Sequence, residues 1–233
     1  MNNQTKKSAS VVLDSISKSY KNGNIELQVL KNLNLTLKKG EVVTLSGPSG
    51  SGKSTLLHLL GLLDMPNSGS VNLFGESTHM MNDTNRTNFR LNNIGFMYQF
   101  HNLLPDFSAL ENVMIPQLIS KTSRHESKLK AINMLEILGL KDRINHKPTE
   151  MSGGEQQRCA FARAIINQPK LLIADEPTGN LDKKTGENVF EIILDIVKSK
   201  DLIAIVATHN ETLSKRVDRN FNIENGALYE SKR

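Results

Sequence analysis

The run GPSGSGKST, Gly47 to Thr55, follows the apolar stretch EVVTLSG (Glu41 to Gly47) and opens the leucine-rich STLLHLLGLL (Ser54 to Leu63). The apolar stretch reads as a buried strand and the leucine-rich one as a helix, and the turn between them matches the full G-x-x-x-x-G-K-[ST] pattern. Gly47, Gly50 and Gly52, with Pro48, Ser49 and Ser51 between them, form a loop able to wrap closely around an anion. Its backbone N–H groups and the following helix N-terminus then face negative charge. Lys53 adds a point cation, Ser54 a hydroxyl ligand for Mg²⁺, and Thr55 a hydrogen bond to phosphate. A flexible Gly/Ser loop would not require the strand before it or the helix after it.

Two further buried strands follow, KLLIADE (Lys170 to Glu176) and LIAIVATH (Leu202 to His209), with the amphipathic helix GENVFEIILDIVKSK (Gly186 to Lys200) between them. This alternation predicts a mostly parallel sheet with flanking helices, an α/β fold of the P-loop type. VVLDSISKSY (Val11 to Tyr20), VLKNLNLTL (Val29 to Leu37) and GSVNLFG (Gly69 to Gly75) read as a smaller antiparallel β layer on the N-terminal side. From about residue 100 to 167 the pattern turns helical, as in ESKLKAINMLEILGL (Glu126 to Leu140), so a helical subdomain is expected as an insertion. The expected organisation is a polar tail over residues 1–10 and a single domain over 11–233.

The acids at the end of LLIADEP fall where a nucleotide site needs them. Asp175 is placed to hold Mg²⁺ and Glu176 to polarise an attacking water, and strand alternation points the two neighbours in different directions. His209 ends its own strand in the equivalent position, from which an imidazole reaches the γ-phosphate or the catalytic water.

Composition limits the alternatives. The 233 residues are 38% apolar and 23% charged, near the average for soluble globular proteins. The formal charge of +5, from 29 Lys+Arg against 24 Asp+Glu, is scattered without a basic block, so no nucleic-acid groove is expected. The one cysteine, Cys159, rules out an internal disulfide and reads as a small buried apolar residue in a reducing cytosol. MNNQTKKSAS at the start is polar, so no signal peptide is expected. The longest apolar runs fall short of the ~20 residues that span a bilayer.

MSGGEQQR (Met151 to Arg158) resembles the LSGGQ signature of the ABC ATPases. Met151 and Glu155 depart from the first and fifth positions, while Ser152, Gly153 and Gly154 match. A Ser-Gly-Gly turn opening a helix also presents N–H groups suited to phosphate. The resemblance implies a head-to-tail homodimer in which Gly47 to Thr55 hold ATP and Mg²⁺ in cis, and Ser152, Gly153, Gly154 and Glu155 cap the nucleotide in trans. It assigns Tyr20 to stacking on adenine, Gln99 to Mg²⁺ and water, Thr178 to Asp182 (TGNLD) to the passage between subunits, and His209 to the switch histidine. Asn210 follows His209 where many relatives have Asp.

STLLHLLGLLD, YQFHNLLPDFSALENV and ADEPTGNLD are similar to the branch that holds the macrolide-exporter, cell-division and lipoprotein-releasing types, with the second run worded closest to the last. The resemblance implies a peripheral ATPase on the cytoplasmic face of the inner membrane, bound to two membrane-spanning permease subunits. Phe100, Leu103, Leu104, Pro105 and Phe107 would line the groove for a short helix of those subunits. The other exporter and cell-division types stay open at this point. A nucleic-acid-associated ABC ATPase is more remote, because the chain has one phosphate loop and no coiled-coil or zinc insertion.

Overall fold

The computed structural model describes residues 9–23 and 25–231. Residues 1–8 of the expected tail lie outside the described residues, and strand β1 (Ala9–Asn22) starts directly after them. β1 pairs antiparallel with β2 (Ile25–Lys38) and with β4 (Ser68–Leu73), and β5 (Glu76–Ser77) completes a four-stranded sheet in the order β2-β1-β4-β5. The second sheet has six strands in the order β10-β9-β3-β8-β7-β6. They are β3 (Val42–Ser46), β6 (Ile94–Met97), β7 (Leu171–Asp175), β8 (Ile203–Ala207), β9 (Arg219–Glu224) and β10 (Ala227–Ser231). Pairing is parallel from β9 through β6, and only β10 runs antiparallel to its neighbour.

The central strands are apolar on both faces because both faces are covered. Alternate residues divide between two cores. Val43, Leu45, Ile173, Ile203 and Ile205 pack towards the antiparallel layer and helix α1 (Lys53–Leu60). Val42, Leu172, Ala174, Ala204 and Val206 pack towards the helices of the other side.

Helix α2 (Asp83–Asn93) is absent from the sequence reading, because DTNRTNFRLNN is polar almost throughout and buries Phe89 alone. Helices α3 (Ala109–Ile119), α4 (Arg124–Ile137) and α5 (Gly153–Ile165) all fall between residues 100 and 167 and pack on one another. Helix α6 (Lys183–Ser199) begins three residues before the expected Gly186, because Asp182 caps it by accepting a hydrogen bond from Thr185 N at 3.1 Å. A short helix α7 (Glu211–Ser214) follows β8. The parallel strands β3, β8, β7 and β6 are adjacent in that order, so the loops leaving their C-terminal ends meet at one edge of the sheet.

Candidate active site

Apart from Tyr20, which lies on β1, the sequence-predicted residues of the cis site end or follow one of those strands. Gly47 leaves β3 with φ 143, and an added Cβ would lie 2.4 Å from Ile223 O, so only glycine fits there. Gly52, the residue before α1, has φ 106 and offers no side-chain cap, and the first turn of the helix carries no acid. The N–H groups at this helix start are therefore left for an external anion. Lys53 folds back over the loop and donates to Gly47 O at 2.6 Å and Pro48 O at 3.0 Å.

Across β8, Ser54 Oγ donates to Asp175 Oδ2 at 3.3 Å, which joins the phosphate loop to the acid at the end of β7. Glu176 comes next with φ 46, a left-handed conformation uncommon for a residue with a side chain. Its N–H donates to Ala207 O at 2.9 Å, so β8 holds it in that conformation. Burial holds the Glu176 carboxyl above the usual glutamate range, against the pull of His209 and Lys53. His209 Nε2 stands 3.4 Å from Glu176 Oε1. Glu176, Thr178, His209 and Gln99 share a cleft of about 630 Å³.

Gln99 arrives from β6, a strand too short to be read from the sequence, and is tied to the TGNLD loop. Its Nε2 donates to Asn180 Oδ1 at 3.4 Å, and Asn180 Nδ2 donates to Gln99 O at 3.1 Å. The exposed Tyr20 ring has its hydroxyl donated to Asp64 Oδ2 at 2.7 Å, while Lys18 Nζ sits 4.8 Å from the ring centroid. Burial pushes the Tyr20 phenol up, and the Asp64 bond adds to that shift.

Ser152, Gly153, Gly154 and Glu155 do not line this cleft. They head α5 on the other side of the TGNLD loop. A Cβ on Gly153 would come 3.0 Å from Leu181 Cδ2, and one on Gly154 would come 2.7 Å from Thr185 Cγ2, so the glycines let the turn seat against that loop and the first turn of α6. Ser152 Oγ accepts from Glu155 N at 3.3 Å while Glu155 Oε2 accepts from Ser152 N at 2.8 Å, a reciprocal cap. The two helix starts therefore differ: the one after Gly52 has no side-chain cap, and the one after Ser152 is capped from within the chain.

The apolar segment after Gln99 is held open to solvent by polar anchors that the sequence reading missed. Phe100 is 70% exposed, and Leu104 and Phe107 are each 42% exposed. Fully buried Asn112 donates from Nδ2 to the carbonyls of Leu104, Phe107 and Ser108, each at 3.1 Å, and its Oδ1 accepts from Leu104 N at 2.8 Å. Arg163 of α5 donates to Asn102 O at 2.7 Å and His101 O at 2.9 Å, and the His101 ring contacts buried Gln157. Arg163 is signalled only by its place on a helix whose other face is apolar. Asn112 shares a mostly apolar helix with Glu111 and Gln117, and nothing in the sequence separates it from them as the anchor.

Residues 30–179 match the ABC transporter family. The lipoprotein-releasing system ATP-binding protein LolD of Nitrobacter winogradskyi is 48% identical over 225 residues, with 97% of each chain covered. The protein of that name from Rhodopseudomonas palustris is 49% identical over 220 residues, covering 94% of this chain and 95% of the relative. That from Legionella pneumophila (strain Lens) is 47% identical over 212 residues, covering 91% and 93%. Among solved structures, a dimeric ATP-binding cassette in a post-hydrolysis state with ADP and Pi superposes with a TM-score of 0.87 at 39% identity, covering 95% of this chain and 98% of that one.

Proposed function

Since the chain belongs to the ABC transporter family, we propose that it is the ATP-hydrolysing subunit of an inner-membrane complex that releases lipoproteins bound for the outer membrane. The observation that carries this reading is near-full-length similarity to proteins named LolD, joined to a cis site whose acid, histidine and phosphate loop meet at one sheet edge. Lys53 and the amides of Gly47 to Thr55 bind the ATP phosphates. Glu176 orients and polarises the attacking water, and His209 holds that arrangement. Tyr20 presents a ring face to adenine.

Among the described residues no group of three or more His, Cys, Asp or Glu side chains is gathered to hold a metal by itself. Ser54 Oγ and Asp175 Oδ2 offer hard oxygen donors, as Gln99 would through its amide. That set suits a small divalent ion that shares its shell with phosphate and water. Ser54, Asp175 and Gln99 would hold Mg²⁺, which when bound offsets phosphate charge.

The two helix starts imply a sandwich: ATP held by one copy's phosphate loop is capped by Ser152 to Glu155 of a second copy, and the dimeric cassette relatives support this. No described helix is long and apolar enough to cross a membrane. The reading therefore places the dimer on the cytoplasmic face of the inner membrane, beneath two membrane-spanning permease subunits of the LolC/LolE type. Phe100, Leu104 and Phe107 give those subunits an apolar contact.

Purification in mild detergent tests the reading. Two few-span membrane proteins should accompany the chain, and its depletion should leave outer-membrane lipoproteins in the inner membrane. Depletion that blocks septation while lipoproteins sort correctly would instead assign the chain to the cell-division type.

A further inference from the structure

The two helix starts differ in charge. The one at Gly52 has no acid in its first turn, whereas the one at Ser152 carries Glu155 there. Glu155 is an ionised group, since hydrogen bonds from the Ser152 backbone, with Arg143 and the Ser152 hydroxyl adding to them, hold its carboxyl below the usual glutamate range. Under the sandwich reading this helix start meets the phosphates of ATP held by the other copy. A bare carboxylate in its first turn would oppose that approach and cancel part of the favourable helix dipole.

Arg143 stands against this carboxylate. Its Nε donates to Glu155 Oε1 at 3.0 Å, while Glu155 Oε2 is occupied by Ser152 N. The arginine reaches Glu155 from a fixed base. Arg143 N donates to Leu140 O at 3.0 Å and His146 N to Arg143 O at 3.0 Å, and the neighbouring segment is fastened to the start of α3 by Leu110 N to Ile144 O at 2.9 Å and Ala109 N to His146 O at 2.8 Å. Neither side chain is fully shielded: Arg143 is 41% exposed and Glu155 20%. The pair therefore reaches the surface beside the signature turn.

We propose that Arg143 is a positioning residue for the trans phosphate site: it neutralises Glu155, so that the signature turn accepts ATP phosphate although a glutamate stands at its fifth position. The proposal rests on the ATP-sandwich reading. It explains how the departure at Glu155 is tolerated. A glutamine there would cap Ser152 equally well without needing a cation.

The test uses the full chain in a Glu176→Gln background, in which hydrolysis does not consume the complex, and measures the ATP concentration that gives half-maximal dimerisation. Arg143→Ala should raise that concentration about tenfold or more, since an uncompensated carboxylate then faces phosphate. Arg143→Lys should stay near the parent. The deciding variant is Arg143→Ala with Glu155→Gln. Removing the unpaired charge should restore dimerisation to within about threefold of the parent, which loss of a merely structural arginine would not allow. Arg143→Gln, which keeps the aliphatic stem, replaces Arg143→Ala if the alanine variant does not fold. Unimpaired dimerisation of both Arg143→Ala and Arg143→Gln, or a defect that Glu155→Gln does not relieve, overturns the role of Arg143 alone. A parent that stays monomeric with ATP overturns the sandwich reading and the proposal with it.

Discussion

Glu176 Oε1 lies 3.4 Å from His209 Nε2 across the ends of two neighbouring parallel strands, yet this buried oxygen has no hydrogen-bond partner. The two groups stand at ion-pair distance but not in the geometry of a hydrogen bond. Glu176 also has a positive φ. The chain thus keeps a carboxylate partly desolvated, on a residue of uncommon backbone conformation and with Oε1 unpaired, at the rim of the cleft, an arrangement that costs stability and suits a group whose partner is a transient water.

Glu176→Gln should bind ATP and hydrolyse it at least about a hundredfold more slowly, the lower end of what a positioned general base contributes. An ATP-dependent dimer that persists on size-exclusion chromatography would accompany this. The same substitution should alter stability with pH. A carboxyl whose folded pKa lies above its unfolded value gives a folded state that binds the proton more tightly, so its contribution is greatest at acid pH and is lost as pH rises through the folded value. The melting temperature of Glu176→Gln should therefore exceed that of the parent at neutral pH, with the gap narrowing at acid pH. Thermal scans of both chains across pH check this.

His209→Ala should leave ATP affinity close to that of the parent and reduce hydrolysis on the order of a hundredfold. The Glu176 carboxyl loses the downward pull of the imidazole, so its protonation moves to higher pH. The acid limb of the residual rate profile should shift upwards accordingly. A profile that does not move would show that His209 acts on something other than Glu176.

Lys53→Ala removes the cation that donates to Gly47 O and Pro48 O and, on the proposed reading, to phosphate. Equilibrium binding of a fluorescent ATP analogue should weaken by about ten- to a hundredfold, the scale of one lost charge-assisted hydrogen bond. Affinity equal to that of the parent would count against the phosphate loop as the binding site.

Much of the site is legible because each part sits at the end of a contiguous apolar strand. Gly47, Asp175, Glu176 and His209 each follow a run buried on both faces, and such runs stand out without knowledge of their partners. The three central parallel strands are legible for the same reason, but β6 and β9 are not: IGFM is too short to stand out, and RNFNIE alternates polar with apolar residues. Side-chain pairing across the chain is not legible. Asn180 meets Gln99 from 81 positions away and Arg163 meets Asn102 from 61, and nothing local marks either partner. Arg143 and Glu155 are only 12 apart, but a bend between 3₁₀ turns and α5 brings them together, and no helical period predicts it.

Asn112→Ala removes four hydrogen bonds at a fully buried position and leaves the backbone of Leu104 to Ser108 without its anchor. A cost of about 2–3 kcal/mol is expected, which in a chain of this size lowers the melting temperature on the order of 5–10 °C. Amide exchange at residues 103–108 should speed up more than at β3 or β8. Thermal unfolding with exchange mass spectrometry measures both.

Leu104 and Phe107 are the side chains that this anchor holds out to solvent. If they served the core, polar substitution would destabilise the chain. If they serve a partner, it would not, because surface changes of this kind usually fall within about 0.5 kcal/mol. Leu104→Ser with Phe107→Ser should therefore leave the melting temperature within about 2 °C of the parent and ATP binding unaltered. The same variant should fail to retain the membrane subunits in detergent and should not support lipoprotein release in cells depleted of the parent. Full retention and release by a normally folded variant would place the partner contact elsewhere. The neighbouring Phe100, the most exposed aromatic of the segment, would then be the next residue to substitute.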